Sequence, residues 1–284
     1  MRNIKEKLMS VVFLLCACTS ILAVLLICLF LFANGIPAMN EIGIWDFLSG
    51  KTWAPSNNIY GILPMILGSL YVTAGAIIIG VPIGILTAIY MAKFCPKKIY
   101  RVLKPMIDLL AGIPSIVYGF FGVVVIVPFV IEVFGGRGTS ILTASILLGI
   151  MILPTIVGVS ESAIRAVPVS YYEGALALGA SHEKSVFFTV VPAAKSGIFA
   201  GVILGIGRAI GETMAVVMVA GNQPRIPADI LKGVRTLTSN IVMEMGYAAD
   251  LHRGALIATA VVLFVFILLI NISFSLVSRK SKKY

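Results

Sequence analysis

Residues 197–221 read GIFAGVILGIGRAIGETMAVVMVAG, an apolar run that one arginine and one glutamate interrupt. A helix of about 20 residues crosses a hydrocarbon layer of about 30 Å, so this run is long enough to span a membrane. Arg208 and Glu212 are four positions apart, which predicts one continuous helix with both side chains on the same face. A charge inside a membrane helix is costly and normally faces a cavity or a partner. The run therefore predicts a membrane helix with a functional interior face.

Two interpretations of this pair remain open from the residues alone. Arg208 and Glu212 form an internal ion pair that locks two helices, or they contact a substrate along a translocation path together with Thr213. Arginine suits an oxyanion because its planar fork donates two parallel hydrogen bonds. Glu212 would then hold Arg208 in the empty state or accept a hydrogen bond from a protonated oxyanion, which phosphate offers and sulfate at neutral pH does not. Small residues on the same face would let a helix or an open path approach closely; they are Gly201, Gly205 and Ala215.

Composition places this run in a membrane protein. The chain has 284 residues, of which 59% are apolar and 12% charged, and its mean hydropathy is +1.05. Soluble domains carry about 25% charged residues, so a soluble protein is excluded. Six runs are long enough to span, which predicts an all-α membrane protein with six transmembrane helices. They lie near 9–33, 62–92, 106–134, 139–160, 197–221 and 254–277.

The basic residues predict the orientation. With both termini in the cytoplasm, 15 lysines and arginines lie inside and 6 outside, as the positive-inside rule requires for a multi-pass protein of the cell membrane. The net charge of +10 does not indicate nucleic-acid binding, because the basic residues lie in short segments between apolar runs. We expect an N-terminal helix with its outer loop over 1–60 and a core over 61–284, with a cytoplasmic segment at 161–196.

The cytoplasmic segment reads as two short helices. Ser170 and Glu173 have the spacing of a capping box, and Gly179 can end the first helix in the left-handed conformation. Ser181 can cap a second helix that ends near Pro192. Glu173 is either this cap alone or also a docking residue for a soluble partner, and the two roles are compatible.

The same segment resembles the integral membrane permeases of ABC importers. Their cytoplasmic motif is E-A-A, three residues, G, nine residues, I-x-L-P. This chain has Glu173, Gly174 and Ala175, then Gly179, and TVVP at 189–192. The spacing is complete, and three positions depart mildly: glycine for alanine, threonine for isoleucine and valine for leucine. The resemblance implies that Glu173, Gly174, Ala175 and Gly179 belong to a coupling helix that docks on a cytoplasmic ATPase.

A second resemblance indicates which substrate class of ABC importer permease this sequence resembles. RAIGETMA at 208–215 and GIPSIVYG at 112–119 are similar to stretches of phosphate importer permeases, and TLTSN to EMGY over 236–247 is similar to their PstC-type subunit. The resemblance implies the type I ABC importer permease fold and phosphate as the transported ion. It also implies a second permease of the PstA type, two cytoplasmic ATPase subunits of the PstB type and an external phosphate-binding protein of the PstS type.

The sequence contains no motif that indicates an enzymatic activity of this chain. The tripeptide at 50–52 lacks the first glycine of a phosphate-binding loop, and no zinc spacing is present. We therefore expect a transporter subunit without a cofactor or metal, whose ATP hydrolysis takes place in a separate chain. Two alternatives remain: a permease for another oxyanion such as sulfate or molybdate, and an ion-coupled secondary carrier.

Three further expectations concern charged residues near the membrane surfaces. Asp108 is placed in the first turn of the third membrane helix, where a carboxylate favours the helix dipole. Glu161 and Arg165 are expected to form a solvated interfacial pair or, alternatively, a gate. The outer loop 222–253 is expected to be partly helical between Ile230 and Tyr247.

Overall fold

The chain is described by a computed structural model that covers the backbone of residues 2–281 and the side chains of residues 5–273. The basic residues of 279–284, which entered the orientation count, lie outside the residues whose side chains are described. The described chain is mainly helical, with one short antiparallel hairpin in which Trp53 pairs with Tyr60 and an isolated parallel bridge between Gly221 and Val234.

The elements of the first half are α1 (Arg2–Ile42), α2 (Ile44–Ser49), β1 (Trp53–Ala54), β2 (Ile59–Tyr60), α3 (Leu63–Ile89), α4 (Lys97–Gly112), α5 (Ser115–Phe121) and α6 (Val127–Phe134). A 3₁₀ turn at Pro55–Asn57 joins the strands. Single π turns extend α3 over Tyr90–Phe94 and join α5 to α6 over Gly122–Ile126.

The elements of the second half are α7 (Ile141–Arg165), α8 (Val169–Ala177), α9 (His182–Ser185), α10 (Val191–Ala193), α11 (Lys195–Gly211), α12 (Met214–Val219), α13 (Leu237–Glu244) and α14 (Asp250–Ser281). A third π turn, Val186–Val190, makes α9 and α10 continuous.

Five helical segments within residues 2–281 are long and apolar enough to cross a membrane. The bent pair His182–Ala193 and Lys195–Gly211, with an angle of 68°, makes a sixth if it counts as one span. The predicted six-helix membrane bundle is therefore confirmed. The five spans are Lys5–Ile42, Leu63–Phe94, Ser115–Phe134, Ile141–Arg165 and Asp250–Ser273.

The third span begins later than the sequence predicted. Residues 106–112 belong to α4, and the span starts at Ser115 because Pro114 disfavours a helical conformation for the residue before it. Ile113 is accordingly extended, with ψ 127°. Asp108 thus lies near the end of α4 and not in a first turn, so the helix-dipole interpretation of Asp108 is wrong.

Helix α7 is the centre of the bundle. Its buried face contributes Leu147, Met151 and Ile152 to the largest hydrophobic cluster, together with residues of α3, α5 and α12. Close approach of α3 depends on glycine, because a Cβ on Gly80 would lie 2.8 Å from the carbonyl oxygen of Gly149. Such small-residue contacts are the usual way in which membrane helices pack. The two remaining clusters lie at the opposite ends of the bundle.

Candidate functional site

The predicted fifth span is broken where the sequence predicted a continuous helix. Helix α11 ends at Gly211, Glu212 is extended with ψ 136°, and Thr213 precedes α12. The Glu212 carboxylate turns forward and its Oε1 accepts a hydrogen bond of 3.2 Å from the N–H of Ala215. This satisfies an orphan donor at the start of α12. The prediction that Arg208 and Glu212 share one helical face is therefore wrong.

Arg208 is held by the central helix and not by Glu212. Its Nη1 donates a hydrogen bond of 3.3 Å to Thr155 Oγ1 on α7. No salt bridge joins Arg208 to Glu212 in the side chains that the structure describes. The interpretation as a locked internal ion pair is thus not supported, and most of the guanidinium fork is left free for another acceptor.

The second broken helix meets the first at this point. Tyr118 is buried, donates a hydrogen bond of 2.8 Å to the carbonyl of Leu110 across the break before α5, and lies within electrostatic range of Arg208. A Cβ on Gly119 would lie 3.1 Å from the Cα of Ala215. The stretches 112–119 and 208–215 therefore converge in space, although about 90 residues separate them.

The glycines of α11 divide it into a packed side and an open side. A Cβ on Gly205 would lie 2.8 Å from Ile156, and one on Gly201 would lie 3.0 Å from Ser160, so these two glycines face α7. A Cβ on Gly207 or Gly211 would meet no described atom within 4 Å. Because Gly207 directly precedes Arg208 and Gly211 lies three residues after it, one turn away on the helix, the arginine borders an open surface of the bundle.

The cytoplasmic segment has the predicted two helices but a different first cap. Helix α8 begins at Val169 after Pro168, and no side chain caps it, so the capping box of Ser170 and Glu173 is wrong. Pro168 explains the shift, because its fixed φ suits the start of a helix. Ser181 caps α9 as predicted and accepts from the N–H of Lys184 at 3.3 Å.

Gly179 ends α8 as the sequence predicted. Its φ is +86°, and its N–H bonds to the carbonyl of Leu176 at 2.9 Å. The N–H of Ala180 bonds to the carbonyl of Ala175 at 3.1 Å, which completes a Schellman motif. The left-handed conformation at this position favours glycine.

Helix α8 presents most of its surface outward, and Tyr172 packs its other side on the hydrophobic cluster at this end of the bundle. None of its residues is buried, Glu173 is exposed, and nothing lies within 4 Å of a Cβ built on Gly174. The next residue after the helix, Leu178, is 91% exposed. An uncovered helix that carries exposed apolar side chains is typical of a docking surface.

A buried carboxylate next to this segment was not recognised as buried from the sequence. Glu161 is 2% exposed, so it is not a solvated residue as expected, although its pair with Arg165 is present at 2.7 Å. Tyr100 donates to the same carboxylate oxygen at 2.7 Å, and Lys104 lies 3.5 Å from the other oxygen. Arg165 also donates to the carbonyl of Met91 at 2.7 Å. We call these five residues the inner cluster.

The inner cluster joins α3, α4 and α7 at their predicted cytoplasmic ends. Asp108 contacts it from outside, 3.3 Å from Lys104. Burial opposes the charge of Lys104, but the Asp108 and Glu161 carboxylates outweigh it and raise the pKa of Lys104. The spacing of Glu161 and Arg165 signalled one pair, whereas no local pattern signalled the partners on α4.

A second missed cluster lies at the opposite end of the bundle. Glu244 is buried and pairs with Arg235, accepts from the Trp53 indole at 2.9 Å and contacts His252 at 2.9 Å. It ties the hairpin to α13 and α14. Between Ile230 and Tyr247 of the outer loop, helix is confined to Leu237–Glu244, so this stretch is partly helical as expected.

A family model described as "Binding-protein-dependent transport system inner membrane component" matches residues 80–283. The chain belongs to this family. It is therefore a multi-pass permease subunit of the ABC importer class in the cell membrane and not an enzyme.

Curated relatives cover most of the chain. It is 39% identical over 267 residues to a probable ABC transporter permease protein, YqgH, of Bacillus subtilis, with 90% of this chain and 86% of the relative covered. It is 35% identical over 261 residues to the phosphate transport system permease protein PstC of Mesorhizobium japonicum, with 84% and 80% covered.

Solved structures share the fold. A structure of the MetNI methionine ABC transporter in an inward-facing conformation matches with a TM-score of 0.64 at 18% identity, covering 81% of this chain and 99% of that chain. A bacterial alginate ABC transporter in complex with an alginate-bound periplasmic protein matches with a TM-score of 0.59 at 14% identity, covering 93% and 94%. Both confirm the type I importer permease fold.

Proposed function

We propose that this chain is the PstC-type permease subunit of an ATP-driven importer of inorganic phosphate. The observation that carries the proposal is the single arginine of a broken membrane helix, held by Thr155 and bordering an open face. Several relatives named as PstC permeases, at 30–35% identity over most of the chain, support phosphate as the ion.

The chemistry of the broken helix suits a partly protonated oxyanion. Arg208 supplies a planar fork of donors that matches two phosphate oxygens. One carboxylate oxygen of Glu212 accepts a hydrogen bond from the N–H of Ala215. Its other oxygen accepts a hydrogen bond from the hydroxyl group of a protonated phosphate. Sulfate lacks that hydroxyl at neutral pH and leaves the acceptor unpaired, which disfavours it. Thr213, at the break itself, lines the same path.

Uptake into proteoliposomes tests the path. The chain is reconstituted with a second permease, two ATPase subunits and the external binding protein, and labelled phosphate and sulfate are compared with and without ATP. We expect ATP-dependent phosphate uptake that Arg208→Ala abolishes and Arg208→Lys impairs, because a point charge does not reproduce the fork. Arg225→Ala, at an exposed arginine of the outer loop, is the matched control. Normal uptake by an assembled Arg208→Ala complex contradicts the proposal.

Selectivity tests the role of Glu212 separately. Glu212→Gln replaces one of the two acceptor oxygens by an NH2 group, which donates a hydrogen bond. We therefore expect the rate of phosphate uptake to fall and the ratio of phosphate to sulfate uptake to decrease. If the variant transports phosphate more slowly but keeps its full selectivity over sulfate, Glu212 does not recognise the ion and only caps α12.

The exposed helix α8 is proposed as the docking element for the ATPase. Three residues of this surface are exposed, Glu173, Gly174 and Gly179, and Ala175 is half-buried. A cleft on a partner can therefore approach the exposed side of the helix. Glu173→Arg is expected to reduce the ATPase activity that the binding protein stimulates, whereas Glu183→Arg, at an exposed glutamate on α9, is expected to change it little. Unchanged stimulation in Glu173→Arg would exclude this surface.

A further inference from the structure

Helix α4 lies between two membrane spans and is tethered closely to both. Cys95 and Pro96 join it to the span Leu63–Phe94, and Ile113 and Pro114 join it to the span Ser115–Phe134. Two extended residues reach only about 7 Å. Helix α4 therefore stays at the membrane surface that the basic residues place in the cytoplasm, although it is not itself among the membrane spans.

One side of α4 packs on the bundle and a second apolar side does not. Tyr100, Leu103 and Ile107 contact the hydrophobic cluster at this end of the bundle. At 100° per residue, the next stripe around the helix is also apolar but faces outward. No residue of α4 is buried. The outward stripe consists of four exposed side chains, Ile99, Val102, Met106 and Leu109.

The remaining side of α4 is cationic and is not neutralised. Lys97, Lys98 and Arg101 are exposed, and none of them has an ion-pair partner in the described side chains. Lys104 is different, because it is already paired with Asp108 and Glu161. The free positive charge of the helix therefore lies on its first turns, beside the apolar stripe.

We propose that α4 is an in-plane helix that binds anionic phospholipids at the cytoplasmic surface. Its apolar stripe enters the acyl-chain boundary, and Lys97, Lys98 and Arg101 contact the phosphate headgroups. An amphipathic helix with basic residues beside an apolar face binds membranes in this way, and long basic side chains reach the headgroups while their stems stay in apolar surroundings. Charge complementarity favours this occupant, because a protein surface would have to supply three acidic partners. The proposal does not depend on the identity of the transported ion.

Photo-crosslinking to lipid tests the surface on the intact chain. The full-length chain is placed in nanodiscs of phosphatidylcholine containing increasing fractions of phosphatidylglycerol with a photoactivatable headgroup, and cross-links within residues 93–112 are quantified. The combined variant K97Q/K98Q/R101Q is expected to lower the affinity for the anionic lipid on the order of a hundredfold, since each basic residue contributes about fivefold, and so not to saturate at the lipid fractions that saturate the wild type. The outer-face variant R137Q/R225Q/K232Q removes three exposed charges and is expected to leave this affinity unchanged.

Two further variants keep the test decisive. Arg101→Gln alone is expected to raise the lipid fraction at half-saturation about fivefold. This single variant tests the proposal if the combined variant does not assemble. K97R/K98R keeps the charge and is expected to bind as the wild type does. Equal saturation of wild type and Arg101→Gln overturns the proposal.

Discussion

Among the side chains that the structure describes, the Thr155 hydroxyl is the one that accepts a hydrogen bond from Arg208. Thr155→Val keeps the shape of the side chain and removes the acceptor, so the guanidinium loses a hydrogen bond that contributes about 1 kcal/mol. We expect phosphate uptake to fall about fivefold, with assembly unchanged. Thr155→Ser retains the hydroxyl and is expected to retain most of the rate. If both variants transport equally, Thr155 does not position the arginine.

Glu161 and Asp108 provide a matched pair of carboxylates, because both contact Lys104 but differ in burial. The Glu161 side chain is 2% exposed and the Asp108 side chain 60%. Removing one partner from a buried charge cluster costs about 3 kcal/mol, whereas an exposed ion pair contributes less than about 1 kcal/mol. Thermal denaturation in detergent should therefore show a large loss for Glu161→Gln and almost none for Asp108→Asn. Similar losses would contradict the assignment of Glu161 to the interior.

At the scale of single elements, two glycines of the cytoplasmic segment have opposite expected effects. Gly179 has a φ of +86°, so Gly179→Ala strains the backbone at a cost of about 1 kcal/mol. Gly174 lies inside α8 with open space beside it, so Gly174→Ala favours the helix by about 1 kcal/mol. Hydrogen exchange of the α8 amides should become about fivefold faster in the first variant and about fivefold slower in the second. The same sign in both would show that backbone conformation does not control this helix.

The sequence predicted elements well where a local signal existed. Five of the six apolar runs overlap membrane spans because an apolar run of that length is signal enough, although the third span begins only at Ser115. Gly179 ends α8 as its position indicated. The break at Glu212 has only a weak signal, because it depends on a carboxylate bonding to the N–H three residues ahead. The inner cluster has an even weaker signal in the local sequence, because Tyr100 and Glu161 are 61 positions apart and only the packing of the helices brings them together.

At the scale of the whole molecule, residues of the stretch 1–60 pack against the core. Phe47 is completely buried in a cluster that includes Met65, Leu237 and Leu256, and Trp53 bonds to Glu244. We propose that residues 1–60 are a separate unit of sequence that nevertheless depends on α14 for its stability, while the core over 61–284 carries the path and the docking segment.

Two phenylalanines test this dependence. Phe47→Ala is expected to lower the free energy of unfolding by about 3 kcal/mol or more, because it leaves a cavity in a shared cluster. Phe13→Ala alters an exposed side chain of α1 and is expected to change it by less than about 0.5 kcal/mol. Denaturation of the detergent-solubilised chain measures both. Equal effects would show that the N-terminal unit does not draw its stability from the core.

The inner cluster also determines how a mechanical load would spread through the bundle. Arg165 is the last residue of α7, and only three residues separate it from α8, which is too short a linker to absorb a displacement. A push on α8 is therefore delivered to Glu161 and to the Met91 carbonyl at once. Helices α3, α4 and α7 would move together as one rigid body. The conformational change would then be taken up at the helix break around Glu212, near Arg208.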